Sequence, residues 1–172
     1  MIDPTYCQMM ARYSVWQNQS LIAAADTLSD DQRRLDRGAF FGSIFATMNH
    51  LLWADTNWLH RLAGTEKPKA AGIPGSVAET PDWGIYVERR AAKNQGFLAW
   101  ADSISQATLD GELRWYSGLA GADVVRPYGM MAVHVFNHQT HHRGQVHAML
   151  TAAGAKPEDT DLMVMPEAFA VL

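Results

Sequence analysis

The segment His134-Val-Phe-Asn-His-Gln-Thr-His-His-Arg-Gly-Gln-Val-His-Ala-Met149 carries five of the chain's seven histidines. His134, His138 and His142 recur every four residues, so a helix places all three on one face. At about 100° per residue, Met131, His134, His138, His142, Gln145, Met149 and Ala152 fall along one line. That line begins and ends in apolar residues, and its middle is imidazole and amide. Polar groups in an apolar stripe need partners when buried. A metal ion is one such partner, because neutral imidazole is the commonest protein ligand for transition metals. His141 lies on the flank of the line and His147 roughly opposite, so both are weaker ligand candidates.

The rest of the chain repeats the helical period. A first helix is expected from about Pro4 to Asp26, with Asp3 as its cap and Tyr6, Met9, Met10, Tyr13, Trp16 and Leu21 facing inward. Ser29-Asp30-Asp31-Gln32 has the form of a capping box opening one short turn. A second helix is expected from about Ser43 to Ala63, where Ile44, Met48, Leu51, Leu52, Leu59 and Leu62 form the stripe and Gly64 ends it. Residues 64–79 read as a Gly-, Pro- and Lys-rich loop. Thr80-Pro81-Asp82 reads as a cap, a first-turn proline and an acid for a third helix running to about Ser103. Trp83, Tyr86, Val87, Phe97, Leu98, Ala101 and Ile104 make its stripe. Residues 110–126 fit a short hairpin or an extended crossover. The fourth helix spans Tyr128 to Gly154, and the tail after Lys156 reads as an irregular strap.

These four helices predict an all-α fold, a four-helix bundle forming one domain over residues 1–172. The connections are long for a simple up-down bundle, so crossovers are expected. Cys7 is the only cysteine, which excludes an internal disulfide and a cysteine-rich zinc cage. It is expected as a small buried residue of the first helix. No apolar run approaches the ~18 residues needed to span a bilayer, and the first residues lack a signal-peptide pattern. A cytoplasmic protein without membrane contact is expected. Net charge is −4 with histidine neutral, and no basic stripe appears, so binding to a nucleic-acid backbone has little electrostatic support and no nucleic-acid partner is expected.

A third ligand must come from another helix. His50, His60 and Asp55, all on the second helix, are comparable candidates by spacing alone. Asp55 lies nearest the centre of the leucine stripe, where a buried carboxylate needs a partner. Gln145 is a hydrogen-bonding neighbour on the histidine line. Arg143 projects about 100° from His142, toward solvent, with an anion contact as its alternative role. Asp55, Arg143 and Gln145 are therefore the candidate catalytic or supporting groups. Trp53, Trp58 and Trp115 read as core packing, with a pocket lining as the alternative. The chain has no His-Glu-x-x-His, no Glu-x-x-His and no Gly-x-Ser-x-Gly. Zincin, di-iron carboxylate and serine-hydrolase chemistries are thus unsupported.

Asn-His-Gln-Thr-His-His-Arg-Gly-Gln at 137–145 closely resembles the signature of the DinB-like family of damage-inducible proteins. Phe41-Gly42-Ser43-Ile44, Met48 to Asp55, Trp58-Leu59, Arg61-Leu62 and Asp161-Leu162-Met163 extend that resemblance along the whole chain. The resemblance implies metal ligation by His50, His138 and His142, and not by His134 or His141. It implies a bundle with crossover topology and a homodimer. It also implies kinship with isomerases and S-transferases that use mycothiol, bacillithiol or glutathione. Three imidazoles leave coordination positions open, as catalytic sites do. The expected cofactor is a divalent metal ion, zinc or nickel, with iron and copper as alternatives. The expected partner is a small-molecule substrate, including a low-molecular-weight thiol. The expected function is a metal-dependent hydrolase or thiol S-transferase, and the alternative is a stress-response binder of metal or ligand without turnover.

Overall fold

The computed structural model describes residues 2–118 and 120–170. Four long helices dominate it: α1 (Pro4–Asp26), α3 (Ile44–Ala63), α5 (Trp83–Ser103) and α7 (Tyr128–Ala152). Short helices α2 (Asp30–Arg34), α4 (Ile73–Ser76) and α6 (Gln106–Leu109) lie in the connections, and α8 (Glu167–Ala170) lies in the tail. Residues 110–127 settle as the hairpin: β1 (Glu112–Ser117) and β2 (Ala122–Pro127) pair antiparallel, with Trp115 opposite Val124. Among the described residues, no helix is long and apolar enough to cross a membrane.

Helix starts follow from side-chain acceptors. Asp3 accepts a hydrogen bond from the Tyr6 amide, Ser29 and Gln32 close the capping box of α2, and Ser43 caps α3. Gly64 ends α3 in the left-handed region, where a Cβ would be strained. The expected start of the third helix needs correction. Asp82, not Thr80, is its cap, accepting from the Ile85 amide. Thr80 is withdrawn into the interior, where its amide and hydroxyl both donate to Asn49 Oδ1. The fourth helix ends at Ala152, two residues short of Gly154.

The bundle order is set by which helices pack. α1 packs on α5 and α7, and α3 packs on the same two. Sequential neighbours α1 and α3 therefore sit diagonally, as do α5 and α7. The two connections that cross these diagonals contain α2 and the α6–hairpin segment, which explains their length. α5 approaches α3 closely at Gly96, where a Cβ would lie 2.6 Å from Leu59 Cδ2. The tail is the expected strap over α1. Tyr13 donates to the Thr160 carbonyl, Trp16 to Glu158, and Gln17 to the Asp159 carbonyl.

The interior is two apolar clusters separated by a polar layer. One cluster gathers Cys7, Leu59, Phe97, Trp100, Val135 and Phe136. The other gathers Leu21, Ile44, Leu52, Tyr86, Val146 and Leu150. Between them, Ser14 of α1 donates to Gln139 of α7, and Gln139 donates to Asp55 of α3 at 3.0 Å. Arg90 of α5 donates to the other Asp55 oxygen at 2.6 Å. Asn18 and Asn94 join α1 to α5. Every long helix contributes to this layer, so it fixes their relative heights as well as their contacts. Buried polar groups of this kind are stable only when paired.

Candidate metal centre

His138 and His142 of α7 meet His50 of α3 across the helix pair. One ring nitrogen from each lies within 4.8 Å of the others. The ring centroids are 4.8 Å apart for His50–His142, 4.4 Å for His138–His142 and 5.5 Å for His50–His138. Of the three second-helix candidates left open by spacing, the fold brings His50 to the cluster. His60 turns its Nδ1 to the Thr65 carbonyl at the end of α3. Asp55 stands outside the nitrogen group, with its oxygens occupied by Gln139 and Arg90.

Hydrogen bonding sets the tautomers of two rings. The Ser76 hydroxyl donates its proton to the Ile73 carbonyl, so at 2.8 Å it accepts from His50 Nδ1. Gln145 Oε1 has no proton to give and accepts from His142 Nδ1 at 2.8 Å. Both rings therefore keep an Nε2 lone pair for a cation. His138 Nδ1 is buried and has no hydrogen-bond partner among the described residues. Three neutral nitrogens, two of them oriented by neighbouring groups, match the donor set and outer support of a divalent transition metal.

Electrostatics keeps the rings neutral. Burial, with the neighbouring His142 and His138, depresses the His50 pKa to about 3. Burial and His142 depress that of His138 to about 4, against the pull of Asp55. Burial also lowers His142, although its bond to Gln145 opposes the shift. Ligands must be deprotonated, and these are at pH 7. For the metal-free chain this has a stability consequence. An unfolded histidine titrates near 6.5, so below that pH the unfolded state binds more protons. The stability gained from burying neutral rings is complete above about pH 6.5 and is lost as pH falls toward the folded values near 4 and 3. Melting of the metal-free chain from pH 7 to 4.5 should show Tm falling in that window. A slope unchanged by His50→Phe with His138→Gln would assign the loss to other groups.

The histidine line lies at the margin of the buried face of α7. Val135, Gln139, Val146 and Leu150 are buried toward the core, while His134 and His141 are exposed. The centre therefore lies between α7 and α3, with His50 and His142 buried and His138 partly exposed. Phe41 stacks on His50 at 4.0 Å and lies 5.6 Å from His142, forming an apolar wall. Trp53 is buried, and its indole donates to the Ala70 carbonyl. Trp58 and Trp115 are half-buried and pack edge to face beside His134.

The family model for the DinB family matches residues 1–168. The chain belongs to the DinB family. Protein DinB of Bacillus subtilis (strain 168) is 23% identical over 152 residues, covering 87% of each chain. A crystal structure of a DinB-like protein from Bacillus cereus ATCC 10987 superposes with a TM-score of 0.52 at 14% identity. That match covers 84% of this chain and 91% of the other, and it supports the DinB fold.

Other sequence expectations need amendment in this DinB chain. Arg143 is buried rather than solvated, with its guanidinium over the Tyr13 ring. The cause is α1, which packs on that side of α7 and is itself covered by the tail. Gln145 holds His142 and also donates toward His141. Ser76 and Phe41 were not legible as site residues. Ser76 sits in a Gly- and Pro-rich loop with no local pattern that aims it at His50. Arg90 had a signal: it continues the Tyr86–Arg90–Asn94–Phe97–Ala101 seam of α5, and its buried carboxylate partner Asp55 sits on the α3 stripe.

Proposed function

We propose that His50, His138 and His142 bind a divalent metal ion, zinc or nickel, and that the chain uses it for hydrolysis or thiol S-transfer on a small molecule. The observation that carries this reading is three neutral imidazole nitrogens within 4.8 Å of one another, with His138 partly exposed. A bound ion would supply Lewis acidity to a water, thiol or carbonyl group. The chain's own residues do the rest. Ser76 and Gln145 hold two rings in the ligating tautomer. Phe41 excludes water from one side of the centre.

The test is metal analysis of the purified chain, followed by assay in loaded and metal-free forms. Ester and amide substrates probe hydrolysis. Bacillithiol, mycothiol and glutathione with an electrophile probe transfer. The expected result is near one ion per chain and turnover only in the loaded form; equal turnover without metal overturns the proposal. Removing the orienting groups should be milder than removing ligands. Gln145→Ala and Ser76→Ala should each weaken metal binding about 10- to 100-fold, read by chelator competition. Unchanged affinity in both variants would show that the rings need no outer support.

A further inference from the structure

The seam that holds the three histidines continues along α3 and α7 into a second cluster. His134 lies one turn before His138, with ring centroids 6.0 Å apart. Trp58 meets His134 at 4.9 Å, and Trp115 of the hairpin meets Trp58 at 5.8 Å. Arg61 lies over both indoles, its guanidinium 4.6 Å from the Trp58 ring and 5.5 Å from the Trp115 ring. Arg126 is on the same face of the hairpin as Trp115, because it pairs with Leu113 two residues away.

Arg61 is half-buried, yet among the described residues it has neither an ion pair nor a hydrogen bond to the protein. Of the buried arginines, Arg90 has its carboxylate and Arg33 lies 3.8 Å from Asp30, while Arg143 lies over the Tyr13 ring without an ion pair among the described residues. Among the described residues, Arg126 bonds only its neighbour's carbonyl, that of Val125, and forms no ion pair. One guanidinium group thus lies against an indole pair without an acid to answer it among the described residues, and a second is carried on the same hairpin face. The two indole contacts restrict the Arg61 side chain and so pre-order its fork. A planar fork of this kind matches a carboxylate in two parallel hydrogen bonds. The indole walls favour an organic body beside that charge over a bare inorganic anion.

We propose that Arg61, backed by Trp58 and Trp115, binds the carboxylate of a small organic acid whose other end reaches the histidine centre. The substrate class is therefore an acid with a flat or extended apolar body. Arg61 is the residue that selects it. This deepens the metal-centre reading and rests on it only for which group meets the histidines.

The probes are benzoate, its neutral analogue benzyl alcohol, and inorganic phosphate. Each is titrated into the full chain, metal-free and metal-loaded, and followed by calorimetry and tryptophan fluorescence. Benzoate is expected to bind about 10-fold more tightly than benzyl alcohol in both forms, the scale of one charge-assisted contact. Arg61→Met should abolish that preference while leaving Tm and metal stoichiometry unchanged, since methionine still packs on the indoles. Arg61→Lys should keep only part of the preference, because the fork is lost. No saturable benzoate binding in the millimolar range overturns the proposal. So does a preference that survives in Arg61→Met, or phosphate binding as tightly as benzoate. If the chain proves to bind no metal, the metal reading fails, and the metal-free titration still decides this one.

Discussion

Replacing His138 by alanine is expected to empty the metal centre, lowering the metal content from near one ion per chain to near zero after dialysis. His138 is one of three nitrogen donors brought together, and its ring stands between the other two ligand candidates and His134. Structural zinc in zinc-finger peptides binds with roughly 10–16 kcal/mol, which sets the scale. Losing one donor in three removes about 3–5 kcal/mol of that, a drop of two to four orders of magnitude in affinity. The metal-free variant should fold as well as the parent, because the substitution also deletes a buried ring nitrogen without a partner. His134→Ala and His141→Ala are the matched controls: both residues are exposed neighbours in the same helix and should leave metal content intact. Full metal retention in His138→Ala would sink the assignment. So would loss of metal in His134→Ala with retention in His138→Ala.

The largest stability effect should come from the middle of the bundle. Arg90→Met leaves Asp55 buried with a negative charge and only Gln139 as a hydrogen-bond donor. Both partners of the pair are essentially inaccessible, at 0% and 1% side-chain exposure. Breaking a buried pair on one side costs about 3–5 kcal/mol. In a chain of this size that lowers Tm by about 10 °C. The double change Arg90→Met with Asp55→Leu removes both charges and should recover most of the loss. By contrast, the exposed Asp30–Arg34 pair is worth no more than about 0.5 kcal/mol. Thermal melts of the parent and the two variants settle the comparison. A double variant no more stable than Arg90→Met would mean that the polar layer acts through shape and hydrogen bonding, not charge.

The helices were legible because their signals are local. Asp3, Ser43 and Gly64 mark ends by chemistry that operates within one turn, and the apolar stripe of α3 faces inward as its period requires. On α1 the expected Tyr6, Met9 and Met10 are only half-buried, and Cys7, Ala11, Ser14, Asn18 and Leu21 are buried, because Tyr13 and Trp16 turn to the tail. Thr80 misled for an instructive reason. A threonine before a proline has the form of a cap, but Asn49 on another helix captured its hydroxyl, and Asp82 took the role. Arg143 misled in the same way. A wheel measures angle from His142, whereas burial depends on where α1 packs.

The four-residue histidine spacing determined from sequence alone that α7 presents imidazoles on one line, and the resemblance supplied the third corner. Spacing could not choose among His50, His60 and Asp55, because that choice depends on the height at which α3 meets α7. The fold decides it: the Ser14–Gln139–Asp55–Arg90 layer fixes that height, which puts His50 beside His142. The fold also grades the histidine line from exposed His134 through half-buried His138 to buried His142, where the wheel had put the whole line at the centre of the buried face. Periodicity is a property of one helix. A site shared between two helices depends on their packing, and that is set by contacts far apart in the chain.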